Sequence, residues 1–143
     1  MNITEDISKF IGIPYLFNGD TQEGADCSGL ALFFYRQHNW KPDSYDKPIE
    51  REWWVKHPFM MERFLLKHFD KTKDISKLSY GDLILTKIGG ESHLLIYLKY
   101  NRCLTTFPPN VKQWDGSILP DKSMIVHKDI WFSGFKMGFL RRK

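Results

Sequence analysis

Gly24-Ala25-Asp26-Cys27-Ser28-Gly29-Leu30 is the stretch on which the reading of this chain turns. Ahead of it, residues 13–25 carry Pro14, Gly19 and Gly24 among polar side chains, the composition of a loop. Behind it, Leu30, Leu32, Phe33 and Phe34 are apolar and too dense for a surface helix. The pattern predicts a helix that starts at Asp26 or Cys27, ends near His38 and is buried on most sides. Asp26 suits its N-cap, because a carboxylate there accepts bonds from the orphan N–H groups of the first turn. Cys27 then sits in that first turn, where the partial positive charge of the helix is expected to lower a thiol's pKa. Ser28 and Gly29 are small, so the backbone N–H groups around the sulfur can approach a carbonyl and stabilise an oxyanion. A buried, inert cysteine is the other reading of the same residues.

Working outward, Asn2 to Phe10 reads as a short helix, with Asn2 and Glu5 spaced as a capping box and Gly12 as a stop. Residues 40–57 carry Pro42 and Pro48 and read as a loop or irregular helix; Pro58 opens a predicted helix to about Phe69. After Leu78 the texture changes. Leu83 to Thr86 and Leu94 to Leu98 alternate as strands about a turn at Gly89-Gly90, and a turn near Asn101 leads to a third strand from Arg102. Met124 to Val126 and Phe135 to Leu140 are further strands. Helices come first and an antiparallel sheet follows, which predicts an α+β fold.

The chain has 143 residues, room for a single domain over 1–143. Its net charge of +4 comes from lysines and arginines scattered along the chain, with one dense run at Arg141-Arg142-Lys143. That suggests attraction to anionic surfaces, nucleic acid or bacterial wall polymers alike, but no nucleic-acid-binding motif is present and a solvated basic face is the plainer reading. The 2 cysteines make no disulfide framework, and with the 5 histidines they match no zinc signature, so neither metal nor organic cofactor is expected. No apolar run approaches the roughly 20 residues of a membrane span, and the acidic start Met1-Asn2-Ile3-Thr4-Glu5-Asp6 lacks the pattern of a signal peptide. The expectation is a protein made soluble, without a signal peptide, and delivered by other means if it acts at the wall.

His93 follows the glycine turn at the start of a predicted strand. A histidine there can face a helix N-terminus and act as base to a thiol. Three segments now fall into order. Gly12-Ile13-Pro14-Tyr15, Gly19 and Gly24 to Leu30 resemble the N-terminal signature of the NlpC/P60 cysteine peptidases. Leu78-Ser79-Tyr80-Gly81-Asp82-Leu83-Ile84 resembles that family's Gly-Asp-Leu strand. Ser92-His93-Leu94-Leu95-Ile96-Tyr97-Leu98 resembles its His-Val-Gly-Ile-Tyr strand, and Phe139-Leu140-Arg141-Arg142 its arginine-bearing last strand.

The resemblance implies a papain-like α+β domain, N-terminal helices packed on a central antiparallel sheet, that hydrolyses peptide bonds in bacterial cell-wall stem peptides. It implies Cys27 as nucleophile, His93 as base, Tyr15 as a tyrosine assisting substrate or oxyanion contacts, and Asp26 and Ser28 as substrate-binding neighbours. The compact form also resembles phage-encoded members that sit in tail assemblies. Three departures stand out. Where the family places a His, Asn or Gln to orient the imidazole, counting on from His93 reaches Thr105, beside Thr106; a threonine hydroxyl can take that role, or both can be ordinary strand residues. Leu95 replaces a common glycine, and residues 40–69 form an aromatic-rich insertion, walling the cleft or joining the core. Two alternatives stay open: an inactive structural tail component, and a thiol acyltransferase or amidase with a non-wall substrate.

Overall fold

The structure, a computed structural model, describes residues 7–40, 65–88, 91–112, 115–127 and 136–141. A 3-10 turn over Ser8–Phe10 leads to a two-stranded hairpin, β1 (Asp20–Thr21) and β2 (Gly24–Ala25), and then to helix α1 (Cys27–Gln37). Six strands follow: β3 (Phe69–Thr72), β4 (Leu83–Ile88), β5 (Glu91–Tyr97), β6 (Arg102–Thr105), β7 (Met124–His127) and β8 (Lys136–Arg141). They form one antiparallel sheet in the order β3-β8-β4-β5-β6-β7. The α+β class predicted from the sequence is the observed one. Among the described residues no helix is long and apolar enough to cross a membrane.

Strand alternation divides the core in two. Leu83 and Leu85 of β4, Leu94 and Ile96 of β5 and Leu104 of β6 pack with Leu30, Ala31, Phe34 and Tyr35 of α1. The opposite pleat, Ile84, Leu95 and Cys103, is covered by Leu78, Phe107, Leu119 and Val126. Leu95, the residue standing where glycine is common, is therefore a core side chain of this second layer rather than an obstruction beside the helix. The loop before α1 is held from the far end of the chain. Ser123 Oγ accepts from the Ile13 N–H at 2.8 Å and donates to Phe10 O at 2.6 Å.

Three expectations are corrected. The helix predicted over Asn2 to Phe10 is, within the described residues, the 3-10 turn Ser8–Phe10, whose N-cap Ile7 offers no side-chain acceptor; Asn2 and Glu5 lie outside the described residues. The loop over 13–25 contains the small β1–β2 hairpin. Phe69, read as a helix end, begins the edge strand β3, paired to β8 from Phe69↔Arg141 to Thr72↔Gly138, while residues 65–68 are helical. Most of the 40–69 insertion, including Trp53, Trp54, His57 and Phe59, and the Gly89-Gly90 turn lie outside the described residues.

Candidate active site

Helix α1 starts as its sequence requires. Asp26 is extended (φ −90°, ψ −175°) and its carboxylate caps the first turn, with Oδ1 accepting from the Gly29 N–H at 2.7 Å and from Ser28 Oγ at 3.1 Å. Its Oδ2 accepts from the Asn18 N–H at 2.9 Å, and the Asp26 N–H donates to Gly19 O at 3.3 Å. One buried side chain thus ties the helix start to the preceding loop. The two are so close that a Cβ on Gly29 would lie 1.7 Å from Gly19 O. Burial raises the Asp26 carboxyl above its ordinary value, against the lowering effect of these donors. Tyr15 joins the same assembly through its backbone, bridged in parallel to Ala25 and donating its N–H to Asp121 O at 2.9 Å; it is half-buried, as is Ser28.

Cys27 is the first residue of α1 and packs against the core layer that contains Leu94. Backbone donors of Leu94, Ser28 and Cys27 itself converge on the sulfur and favour a thiolate. Two stronger effects oppose them. Burial comes first and the Asp26 charge second, and together they push the thiol up to about 12. The expectation that the helix start would lower this pKa is therefore reversed. Three oriented N–H groups stabilise a thiolate less than loss of water and an adjacent carboxylate destabilise it. The residue as a whole keeps partial surface exposure even so.

His93 stands on β5, 6 % exposed, next in sequence to Leu94. Its ring lies flat on Phe107, with centroids 5.1 Å apart and planes 4° apart. Burial lowers its pKa to about 3. The neighbouring pairs Ile96↔Leu104 and Tyr97↔Cys103 place Thr105 diagonally from His93 on the same pleat. Thr105 Oγ1 donates to Leu94 O at 2.8 Å and lies 2.8 Å from His93 Nε2. A hydroxyl has one proton, and this one is committed to Leu94 O, so His93 Nε2–H must be the donor in the second contact. That places a proton on Nε2.

The sequence thus located Thr105 correctly in space, within hydrogen-bond distance of the imidazole. It gave no hint of Leu94, whose N–H reaches the sulfur and whose carbonyl takes the Thr105 proton. Phe107 was also missed, although its place opposite His93 follows once the β5–β6 register is known. Thr106 Oγ1 is buried without a hydrogen-bond partner. Cys103 is fully buried in β6, as expected of a small core residue. His68 and His127 are partly buried, and His57 is outside the described residues. Among the described residues no group of three or more His, Cys, Asp or Glu side chains could hold a metal.

The Gly-Asp segment serves the scaffold. Asp82 accepts from the Ser79 N–H at 2.8 Å, Ser79 Oγ at 3.1 Å and the Arg141 N–H at 2.9 Å, joining the turn before β4 to the end of β8. Gly81 has φ +89°, and its carbonyl accepts from Tyr35 OH at 2.6 Å. The Arg141 guanidinium stacks on Trp40 at 3.3 Å.

The sequence profile of the NlpC/P60 family matches residues 12–127, a span that holds Cys27, His93 and Thr105. The chain belongs to the NlpC/P60 family. Members of this family are hydrolases. A γ-DL-glutamyl hydrolase of Bacillus subtilis (strain 168) is 44% identical over 36 residues, covering 24% of this chain and 9% of that protein. The chain therefore corresponds to a small part of that relative's length. The NlpC/p60 domain of the peptidoglycan hydrolase SagA superposes with a TM-score of 0.47 at 20% identity, over 89% of this chain and 90% of that one.

Proposed function

We propose that residues 1–143 act as a single catalytic domain, a cysteine peptidase or amidase that cleaves peptide bonds in peptidoglycan stem peptides. Cys27 is its nucleophile and His93 its base. The observation that carries this reading is the chain of contacts Cys27–Leu94–Thr105–His93. It sets the imidazole one residue along β5 from Leu94, whose backbone N–H meets the thiol. In the reaction, the thiol proton passes to His93 Nδ1 while the sulfur bonds to the scissile carbonyl carbon. The carbonyl oxygen takes up negative charge near the N–H groups at the start of α1. His93 then gives its proton to the leaving amine as the C–N bond breaks. Water, deprotonated by the same nitrogen, then attacks the thioester carbonyl carbon; the C–S bond breaks, the acid product leaves and His93 returns the proton to the sulfur.

Family membership supports the hydrolase class, and the name of the Bacillus relative suggests a γ-linked glutamyl bond as the kind to test first. Asp26 acts in this scheme by holding the helix start and the Asn18 loop, since the bonds described for it are internal. Tyr15 and Ser28, each half-buried beside it, meet the substrate. Thr105 orients the imidazole. The net charge of +4 suits an anionic wall, reached by delivery with an assembly such as a phage tail. The test is digestion of purified peptidoglycan and defined muropeptides by the wild type and Cys27→Ala, followed by mass spectrometry of new amines. Cleavage by the wild type and its loss in the variant is the expected result. Cleavage that survives in Cys27→Ala would refute the assignment.

A further inference from the structure

We propose that the β5–β6 turn, with Tyr100 at its tip and Lys99, Arg102 and His127 around it, is a second contact for polymeric peptidoglycan, at the end of β5 away from His93. The inference takes its polymer from the function proposed above, but it needs neither Cys27 nor His93. It starts from the backbone of the turn. The Arg102 N–H donates to Lys99 O at 3.1 Å, and both residues between them are left-handed, Tyr100 at φ +57° and Asn101 at φ +62°. Turns of this kind favour Asn and Gly, because a bulky side chain at positive φ crowds its own backbone. Asn101 fits that preference and Tyr100 does not. Packing does not offset the strain, since Tyr100 is 78% exposed, the most exposed large apolar side chain among the described residues. A strained position that buries nothing points to a role in binding.

Charge selects the partner. The sequence from Ser92 to Trp114 contains no Asp or Glu, and neither does β7. Arg102 is exposed, with its guanidinium 5.9 Å from the Tyr100 ring centroid and its Nε donating to Lys99 O at 3.4 Å. Among the described residues neither Lys99 nor Arg102 is in an ion pair. On the next strand, His127 stands opposite Arg102. A flat ring beside fixed cations suits a sugar ring that carries carboxylates, with the tyrosine face on the C–H face of the sugar and the guanidinium on the acid. A phosphate polymer would use the cations and leave the ring without a role. At about 3.3 Å per residue, the strand from His93 to Tyr100 spans roughly 20 Å. A short stem peptide held at Cys27 falls short of the turn, whereas the cross-linked polymer reaches both. The second contact then raises the local concentration of scissile bonds at the first.

Co-sedimentation with purified peptidoglycan stripped of phosphate polymers tests the proposal, using the full chain with Cys27→Ala so that nothing is digested. In that background, Tyr100→Asn and Arg102→Gln should each bind about five- to tenfold more weakly. Tyr100→Asn should at the same time raise the thermal midpoint by about 2–4 °C, because asparagine suits the left-handed position. Unchanged binding in both variants would overturn the proposal. So would a lowered midpoint in Tyr100→Asn, which would make the tyrosine a support of the turn, or binding that requires the phosphate polymers. With Cys27 in place, the same substitutions should lower kcat/KM on the polymer and leave it unchanged on a soluble stem peptide. Equal losses on both substrates would overturn a separate contact. The peptidase assignment is read apart from this: binding that depends on Tyr100, in a protein that cleaves no peptide, would keep the contact and refute the hydrolase.

Discussion

His93 illustrates how much of the site's behaviour is set by surroundings that lie far apart in the chain. Its ring stacks on Phe107, and burial holds it neutral down to a pKa of about 3. The stability consequence has a definite sign. An unfolded imidazole takes up a proton near its ordinary pKa of roughly 6.5, whereas the folded one refuses it until about 3. The His93 contribution is thus fully present above pH 6.5 and is lost as pH falls from there toward 3. Urea unfolding of the wild type at pH 7, 5.5 and 4.5, set against His93→Gln, checks this. Relative to that variant, the wild type should lose stability at a slope approaching about 1.4 kcal/mol per pH unit. Parallel pH dependences would show that His93 titrates normally. Thr105 was legible at this scale because the position where the family places its third polar residue, counted on from His93, falls on it. The reversed thiol pKa was not, because the helix start is visible in sequence while the loss of water around Cys27 is a property of the assembled core.

Among the elements, α1 was readable from its cap and its dense apolar positions, and strands β4 to β8 from short apolar runs set between turn residues. The rest lacked that signal. Strands β1 and β2 have two residues each and exist through mutual pairing, and β3 is Phe-Asp-Lys-Thr, one buried side chain at a sheet edge, specified by β8 rather than by its own pattern. The described 3-10 turn Ser8–Phe10 has no side-chain cap of its own and is held by tertiary anchoring, the two bonds of Ser123 to Phe10 and Ile13. The start of α1 makes the sharpest prediction for an element. Asp26→Ala removes the acceptor of three donors, Gly29 N–H, Ser28 Oγ and Asn18 N–H, and strands buried backbone groups. A loss of about 2–3 kcal/mol in urea unfolding is expected, beyond an ordinary exposed cap. Gly29→Ala should cost about 3 kcal/mol or more, because its Cβ meets the Gly19 carbonyl. A change below about 0.5 kcal/mol in either variant would contradict the clasp described for this loop.

Among the described residues, helix α1 packs against one pleat of the six-stranded sheet, so that its first residue meets the strand that carries His93. The antiparallel sheet and its α+β class could be read from the order of segments, as could the family, because its motifs are short and lie in one order. The strand order β3-β8-β4-β5-β6-β7 could not, since the last strand inserts between β3 and β4 through pairings distant in the chain, such as Phe69↔Arg141 and Leu83↔Phe139. The account of function rests on Cys27 forming a covalent link to its substrate. The direct measurement is intact-protein mass spectrometry of the wild type mixed with a muropeptide and quenched in acid within the first turnovers. The account predicts a mass gain equal to the acyl half of the substrate, mapping to the peptide that contains Cys27 and absent from Cys27→Ala. New amine released at full rate by Cys27→Ala, or an acyl group mapped to another residue, would contradict it.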